Sequence, residues 1–158
     1  VFGCTSGGSL FGMDYDRKIA DDLSEWTGAA KTVTVLGAVS EKLAEVGAKR
    51  IAVFTPYIDE LNKTIKDCLE EDGIEVLSIQ GMGITVNYDI GVLTPEDIMA
   101  FAKERYQDPD ADALFFSCTN MRAMDAVPML EKEFGKPIVT SNQAAVEAVD
   151  RFYHAAMN

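Results

Sequence analysis

Histidine and cysteine are scarce in this sequence: its 158 residues include one histidine, His154, and three cysteines. A hydrolase that uses a serine such as Ser6 as nucleophile needs a histidine base. His154 lies in the last predicted helix, where we expect it on a solvated face. The cysteines lack CxxC spacing, and together with His154 they do not form the clustered pattern of a zinc site. A catalytic triad and a metal site are therefore disfavoured.

The sequence also lacks a long apolar run and an excess of positive charge. No stretch approaches the roughly 20 apolar residues of a membrane-spanning helix. The net charge of −12 disfavours nucleic acid and anionic membranes as partners, so an anion site must use local backbone amides. With 47% apolar and 25% charged residues the composition is that of a globular protein. Three unclustered cysteines in such a chain predict a cytoplasmic location.

Short apolar runs alternate with amphipathic segments along the chain. Strands are predicted at 50–55, 74–79, 113–117 and 137–140, and 31–36 is either a strand or an extended crossover. Helices are predicted at 13–26, 39–47, 57–71 with Pro56 at the first position, 94–106 capped by Thr94, 121–134, and from the cap Ser141-Asn142 to about 157. This alternation predicts an α/β fold with a parallel, doubly wound sheet.

Two of the cysteines occupy the same short frame, Cys4 in GCTS and Cys118 in SCTN. Each follows an apolar run and precedes a stretch that can start a helix, which places each thiol at the carboxyl end of a strand. Ligands of doubly wound sheets bind at this edge, where free backbone amides favour thiolates and carboxylates. We therefore predict two thiols that face one small anion across a cleft. The predicted donors to its carboxylates are the amides after each cysteine, with Thr5, Ser6, Thr119 and Asn120.

Two thiols that face one carbon permit two kinds of chemistry. One thiol can remove a proton while the other delivers one to the opposite face, or a thiolate can add to an alkene. Addition to a cis-enedioate turns the double bond into a single bond, which rotates, and elimination then gives the trans product. Neither route requires a cofactor, so none is expected.

Three segments resemble the aspartate/glutamate racemase superfamily, closest to the branch of maleate cis–trans isomerase and arylmalonate decarboxylase. They are GCTSGG, TPYIDELN and SCTNMRAMD with GKPIVTSNQA, and they occur in order over nearly the whole chain. The resemblance implies two flavodoxin-like lobes related by pseudo-two-fold symmetry. Residues 1–33 and 142–158 then belong to the first lobe and 34–141 form the second. Because the chain opens on VFG without Met, we expect a fragment in which the first lobe is incomplete.

The resemblance also implies roles for individual residues. Cys4 matches the first-lobe catalytic position and Cys118 the second-lobe position, while the family tyrosine that matches Tyr57 donates its hydroxyl to a substrate carboxylate. Arylmalonate decarboxylases carry glycine where Cys4 stands, so two thiols point to the isomerase and racemase branches. We therefore expect an isomerase acting on a small carboxylate such as maleate.

Several alternatives remain open at this stage. The enzyme could be an amino-acid or hydantoin-type racemase or a malonate decarboxylase, and the chain could be a non-catalytic carboxylate-binding module. A free cysteine is often only a small core residue, and we predict this for Cys68. Tyr57, judged locally, is a half-exposed aromatic at a helix start. The glycine-rich loop 81–93 is expected to line the pocket, with Val86, Tyr88 and Ile90 as candidates. A homo-oligomer is possible.

Overall fold

The computed structural model describes residues 1–157 and confirms the α/β class. Its sheet contains four parallel strands in the order β2-β1-β3-β4. The strands are β1 (Arg50–Thr55), β2 (Glu75–Gly81), β3 (Ala113–Phe116) and β4 (Ile138–Thr140). The central strands β1 and β3 are almost entirely buried, which explains why their sequences are continuous apolar runs rather than alternating ones.

Helices connect the strands and cover the sheet. They are α1 (Thr5–Gly8), α2 (Met13–Thr27), α3 (Val35–Glu45), α4 (Asp59–Glu71), α5 (Asn87–Gly91), α6 (Pro95–Arg105), α7 (Ala123–Phe134) and α8 (Ser141–Met157). The start of α6 is the predicted one, because Thr94 and Asp97 form a reciprocal capping box before Pro95. No helix within residues 1–157 is long and apolar enough to cross a membrane.

Aromatic residues of β1 and β3 form the centre of the core. The rings of Phe54 and Phe116 stack with centroids 5.0 Å apart, and Phe101 of α6 packs edge-on against Phe54 at 6.2 Å. Burying each such side chain stabilises the fold by roughly 1.5–3 kcal/mol. This packing fixes the carboxyl ends of β1 and β3, from which Tyr57 and Cys118 extend.

Sequence-based boundaries are wrong at the start of three helices. Helix α3 begins at Val35 instead of Val39, because Thr34 caps it. Helix α4 begins at Asp59 instead of Tyr57, because the carbonyls of Pro56 and Tyr57 accept hydrogen bonds from Ile84 and Gly83 (2.8 and 3.0 Å). Helix α7 begins at Ala123, so Cys118 is followed by a turn rather than directly by a helix.

The segment 31–36 is neither a full strand nor only a crossover. Thr34 makes a single parallel bridge with Phe2, outside the four-stranded sheet. Its hydroxyl then accepts a hydrogen bond from the amide of Gly37 (3.2 Å) and caps α3. Helix α3 begins at the next residue, Val35, so the extended segment ends at Thr34.

Candidate active site

Cys4 stands on the short connection between Phe2 and the first helix. It is the exposed N-cap of α1, and its sulfur accepts a hydrogen bond from the amide of Gly7 at 3.3 Å. The hydroxyl of Ser6 lies 3.7 Å from the same sulfur. A Cβ at position 7 would lie 3.1 Å from the sulfur, so the absence of a side chain at Gly7 permits this close approach.

Cys118 follows β3 and is 6% exposed. Its sulfur accepts a hydrogen bond from the amide of Asn120 at 3.4 Å. The two GCTS-like frames therefore share a local geometry, in which the backbone amide two or three residues after the cysteine points at the sulfur. The helix N-terminus expected beside each thiol is present only at Cys4.

Tyr57 is buried, at 7% exposure, rather than half-exposed as local reasoning suggested. Burial raises the pKa of its phenol far above the ordinary value, and a negative charge on Cys118 and the hydrogen bond to Cys118 raise it further. A hydrogen bond with Ser6 opposes this pKa shift, whereas charge on Cys4 adds to it. Tyr57 therefore stays a neutral hydrogen-bond donor, and its hydroxyl lies within reach of residues from both cysteine frames.

The threonines of the two frames join the two cysteine loops. The hydroxyl of Thr119 donates to the carbonyl of Gly3 at 2.8 Å. The hydroxyl of Thr5 lies 3.1 Å from the hydroxyl of Ser141, which begins α8. Both threonine side chains thus contact protein groups, and their predicted contacts with a substrate stay predictions.

Asn120 connects the Cys118 loop to α5. Its side-chain amide donates to the carbonyl of Asn87 at 2.7 Å, and a Cβ at Gly91 would lie 3.3 Å from its side-chain oxygen. Of the predicted pocket residues in this loop, Val86 and Tyr88 are exposed, whereas Ile90 is buried in the core. The segment around α5 therefore borders the site, but Ile90 packs inward and cannot be an open wall of it.

Of three supporting residues, Thr55 and Asn62 were not predicted as parts of the site, whereas Ser141 follows a predicted strand end, where ligands were expected to bind. Ser141 contacts the Cys118 loop, and Thr55 and Asn62 hold the segment that carries Tyr57. The hydroxyl of Thr55 accepts from the amide of Tyr57 (3.0 Å) and donates to the side-chain oxygen of Asn62 (2.5 Å). Positions at strand ends were a usable signal for Ser141 and Thr55, but Asn62 inside α4 offered none.

Cys68 and His154 lie in the environments predicted for them, the core and the protein surface. Cys68 is buried in α4, its thiol donates to the carbonyl of Ser9 (3.4 Å), and burial raises its pKa to about 11. His154 is exposed on α8. Within residues 1–157, no three His, Cys, Asp or Glu side chains are grouped so that they could hold a metal ion.

Solved structures of two enzymes have the same fold. A variant of arylmalonate decarboxylase, with one glycine replaced by cysteine and one cysteine by serine, was determined in a liganded form. It superposes with a TM-score of 0.89 at 26% identity, over 94% of this chain and 63% of that one. A cysteine-to-alanine variant of maleate isomerase from Pseudomonas putida S16, solved with maleate, superposes with a TM-score of 0.85 at 26% identity. That match covers 93% of this chain and 60% of the other.

Curated relatives and a family model agree with these structures. Maleate isomerase of Alcaligenes faecalis is 29% identical over 105 residues, 66% of this chain and 42% of the relative. Arylmalonate decarboxylase of Bordetella bronchiseptica is 29% identical over 138 residues, 84% of this chain and 55% of the relative. The chain thus spans about half the length of the curated relatives it matches. The arylmalonate decarboxylase family model matches residues 3–156, so the chain belongs to this family, in the superfamily branch that its sequence resembles.

Proposed function

We propose that this chain carries the two-thiol centre of a cofactor-independent isomerase that acts on a small dicarboxylate such as maleate. The observation that carries the proposal is the contact between the two cysteine loops: the hydroxyl of Thr119, next to Cys118, donates to the carbonyl of Gly3, next to Cys4, at 2.8 Å. Burial, and charge on Cys118 and Cys4, raise the pKa of Tyr57, so this phenol is a neutral donor suited to a carboxylate.

The chemistry needs only the two thiols and fixed donors. One thiolate forms a C–S bond with an alkene carbon, and the π electrons move to the other carbon and into its carboxylate. The second thiol gives its proton to that carbon, which leaves a single bond free to rotate. Removal of the proton and cleavage of the C–S bond then return the thiolate and release the trans isomer. Tyr57 and the hydroxyl of Ser6 stabilise the charge that develops on the carboxylate.

Decarboxylation of an activated malonate is the second candidate, because the matching family model and one relative are arylmalonate decarboxylases. That reaction needs one proton donor, whereas this chain has a second thiol, Cys4, whose loop contacts the Cys118 loop through Thr119. Cys4 therefore favours isomerisation. A racemase would use both thiols as well, with proton exchange at one carbon in place of addition.

Substitution of single cysteines separates these reactions. Cys118→Ala should abolish every variant of the chemistry. Cys4→Gly should abolish conversion of maleate to fumarate, yet leave slow decarboxylation of an arylmalonate. Cys68→Ala is the control, because this thiol is buried in α4 and should leave turnover intact. Conversion followed by proton NMR decides the matter, and isomerisation retained in either Cys4→Gly or Cys118→Ala would refute the two-thiol mechanism.

We also propose the division into lobes at residues 33/34 and 141/142. All four strands of the sheet lie within 34–141, and the bridge between Phe2 and Thr34 lies outside that sheet. Cys4 and Cys118 then belong to different lobes, in line with a site between them.

A further inference from the structure

The junction of β4 and α8 carries a buried hydroxyl that contacts both cysteine loops. Ser141 is 0% exposed and is the first residue of α8. Its hydroxyl oxygen accepts a hydrogen bond from the amide of Cys118 at 3.1 Å and lies 3.1 Å from the hydroxyl of Thr5. Ser141 thus binds the residue that carries one thiol and the residue that follows the other.

We propose that Ser141 is a positioning residue that sets the distance and orientation between the thiols of Cys4 and Cys118, an inference that rests on the proposed two-thiol reaction. Near-attack geometry requires the reacting atoms to lie about 3–3.5 Å apart, so a small loop displacement costs much of the rate. The residue touches no reacting atom and acts through the backbone amide of Cys118 and the side chain of Thr5.

The hydrogen-bonding capacity of Ser141 matches its two neighbours. A hydroxyl offers one donor and two acceptor sites. The amide of Cys118 occupies one acceptor site, which leaves the donor or the second acceptor site for Thr5. Thr5 is buried as well, so losing this partner would leave polar groups unpaired in the interior. The arrangement in which both loops bind Ser141 is therefore strongly preferred.

Helix capping does not account for the hydroxyl of Ser141, because its neighbour performs that role. The hydroxyl of Thr140, which is also buried, accepts a hydrogen bond from the amide of Gln143 at 3.1 Å. On the other side, the side-chain amide of Asn142 donates to the carbonyl of Thr119 at 3.1 Å. Ser141 and Asn142 thus hold the Cys118 loop, whereas Thr140 starts the helix, and Thr140 offers a matched control.

The test compares Ser141→Ala with Thr140→Val, since each removes one buried hydroxyl from the same junction. A short bifunctional thiol reagent such as dibromobimane is applied, and peptide mapping measures the yield of the Cys4–Cys118 cross-link. We expect a several-fold lower yield in Ser141→Ala, and a kcat for maleate about tenfold lower with little change in KM. Thr140→Val should lower the melting temperature but keep the cross-link yield and the kcat of the unchanged protein.

Cross-linking does not depend on turnover, so the proposal and the reaction can fail separately. A wild-type cross-link yield in Ser141→Ala, or an equal loss in Thr140→Val, would overturn the positioning role. A selective loss in Ser141→Ala combined with no isomerisation by the unchanged protein would keep the role of Ser141 and refute the proposed reaction. If Ser141→Ala does not fold, Thr5→Val removes the other end of the same contact. It must give the same lower yield, and a normal yield there would overturn the proposal.

Discussion

Tyr57 shows how one residue can combine packing with polar chemistry. Its ring belongs to the core at the end of β1, while its hydroxyl reaches Cys118 and Ser6. Burial raises the pKa of the phenol above its ordinary value, so near neutral pH it is protonated and can donate a hydrogen bond to a carboxylate or a thiolate. Removing the ring and removing the hydroxyl should therefore have different consequences.

Tyr57→Phe deletes the hydroxyl and keeps the ring. A hydrogen bond to a charged group contributes roughly 1.5–3 kcal/mol, so kcat/KM should fall about tenfold to a hundredfold. The melting temperature should change little, because the packing of the ring is retained. Turnover and thermal unfolding of the same preparation measure the two quantities.

Tyr57→Ala serves as the control for packing. Loss of a buried aromatic ring should lower the free energy of unfolding by about 3–5 kcal/mol. Normal kinetics in Tyr57→Phe, together with clear destabilisation in Tyr57→Ala, would restrict Tyr57 to a packing role and remove it from the site.

At the scale of elements, the close packing of β2 against the turn after β1 positions this tyrosine. A Cβ at Gly81, the last residue of β2, would lie 2.3 Å from the carbonyl oxygen of Tyr57 and 2.3 Å from the side-chain nitrogen of Asn62. The same carbonyl accepts a hydrogen bond from Gly83. Gly81, which ends β2, and Gly83, which follows the strand, therefore both hold the backbone carbonyl of Tyr57.

Gly81→Ala should displace this turn, because a backbone oxygen cannot give way as a flexible side chain does. We expect destabilisation of about 1–3 kcal/mol, typical of overpacking, and at least a tenfold loss of kcat/KM. Gly47→Ala is the control, since φ there is +72° and nothing lies within 4 Å of the added Cβ. That variant should lose stability by about 1–2 kcal/mol through backbone strain alone and keep its kcat/KM. Equal kinetics in the two variants would contradict this account.

The elements also show what the sequence could and could not predict. The strands were predictable because buried parallel strands have continuous apolar sequences, and α6 because Thr94 and Pro95 mark a helix start. The turn at Pro56 and Tyr57 was not, because hydrogen bonds from the distant Gly83 and Ile84 decide it. The repeated frame pointed to Cys4 and Cys118, and the resemblance to Tyr57. Ser141 was predicted as a helix cap at a strand end that faces the cleft, but its contacts with Cys118 and Thr5 were not predictable, because these residues lie far away in sequence.

At the scale of the molecule, contacts between the two ends of the chain assemble the candidate site. The pairs Thr119–Gly3 and Thr5–Ser141 are separated by 116 and 136 residues. A site built this way depends on tertiary folding, since residues distant in sequence connect the Cys4 loop to the Cys118 loop and to α8. The net charge of −12 repels a dicarboxylate at long range, so the proposed substrate would rely on the local donors around Tyr57.

A buried carboxylate makes the stability of the fold depend on pH in an unusual direction. Asp16 of α2 is 1% exposed, and its side chain accepts a hydrogen bond from the hydroxyl of Thr34 at 2.5 Å. Burial raises the pKa of this carboxyl, although hydrogen bonds from Thr34 and Gly37 and the charge of Arg17 oppose the shift. The folded protein therefore holds a proton at pH values where the unfolded chain has lost it.

The resulting prediction concerns the slope of stability against pH. An unfolded aspartate titrates near pH 3.9, so between about pH 4 and the raised pKa of folded Asp16 the contribution of Asp16 to stability falls as pH rises. Asp16→Asn cannot titrate. The melting temperature of this variant minus that of the unchanged protein should therefore grow through this window and stay constant above it.

Asp112→Asn is the control of opposite sign, since backbone hydrogen bonds from Arg50 and Lys49 lower the pKa of Asp112. Its stabilising contribution is present above about pH 4 and lost as pH falls through the lowered pKa. Melting curves from pH 3 to 8 measure both differences, and a difference for Asp16→Asn that is constant over that range would show that folding does not raise the pKa of Asp16.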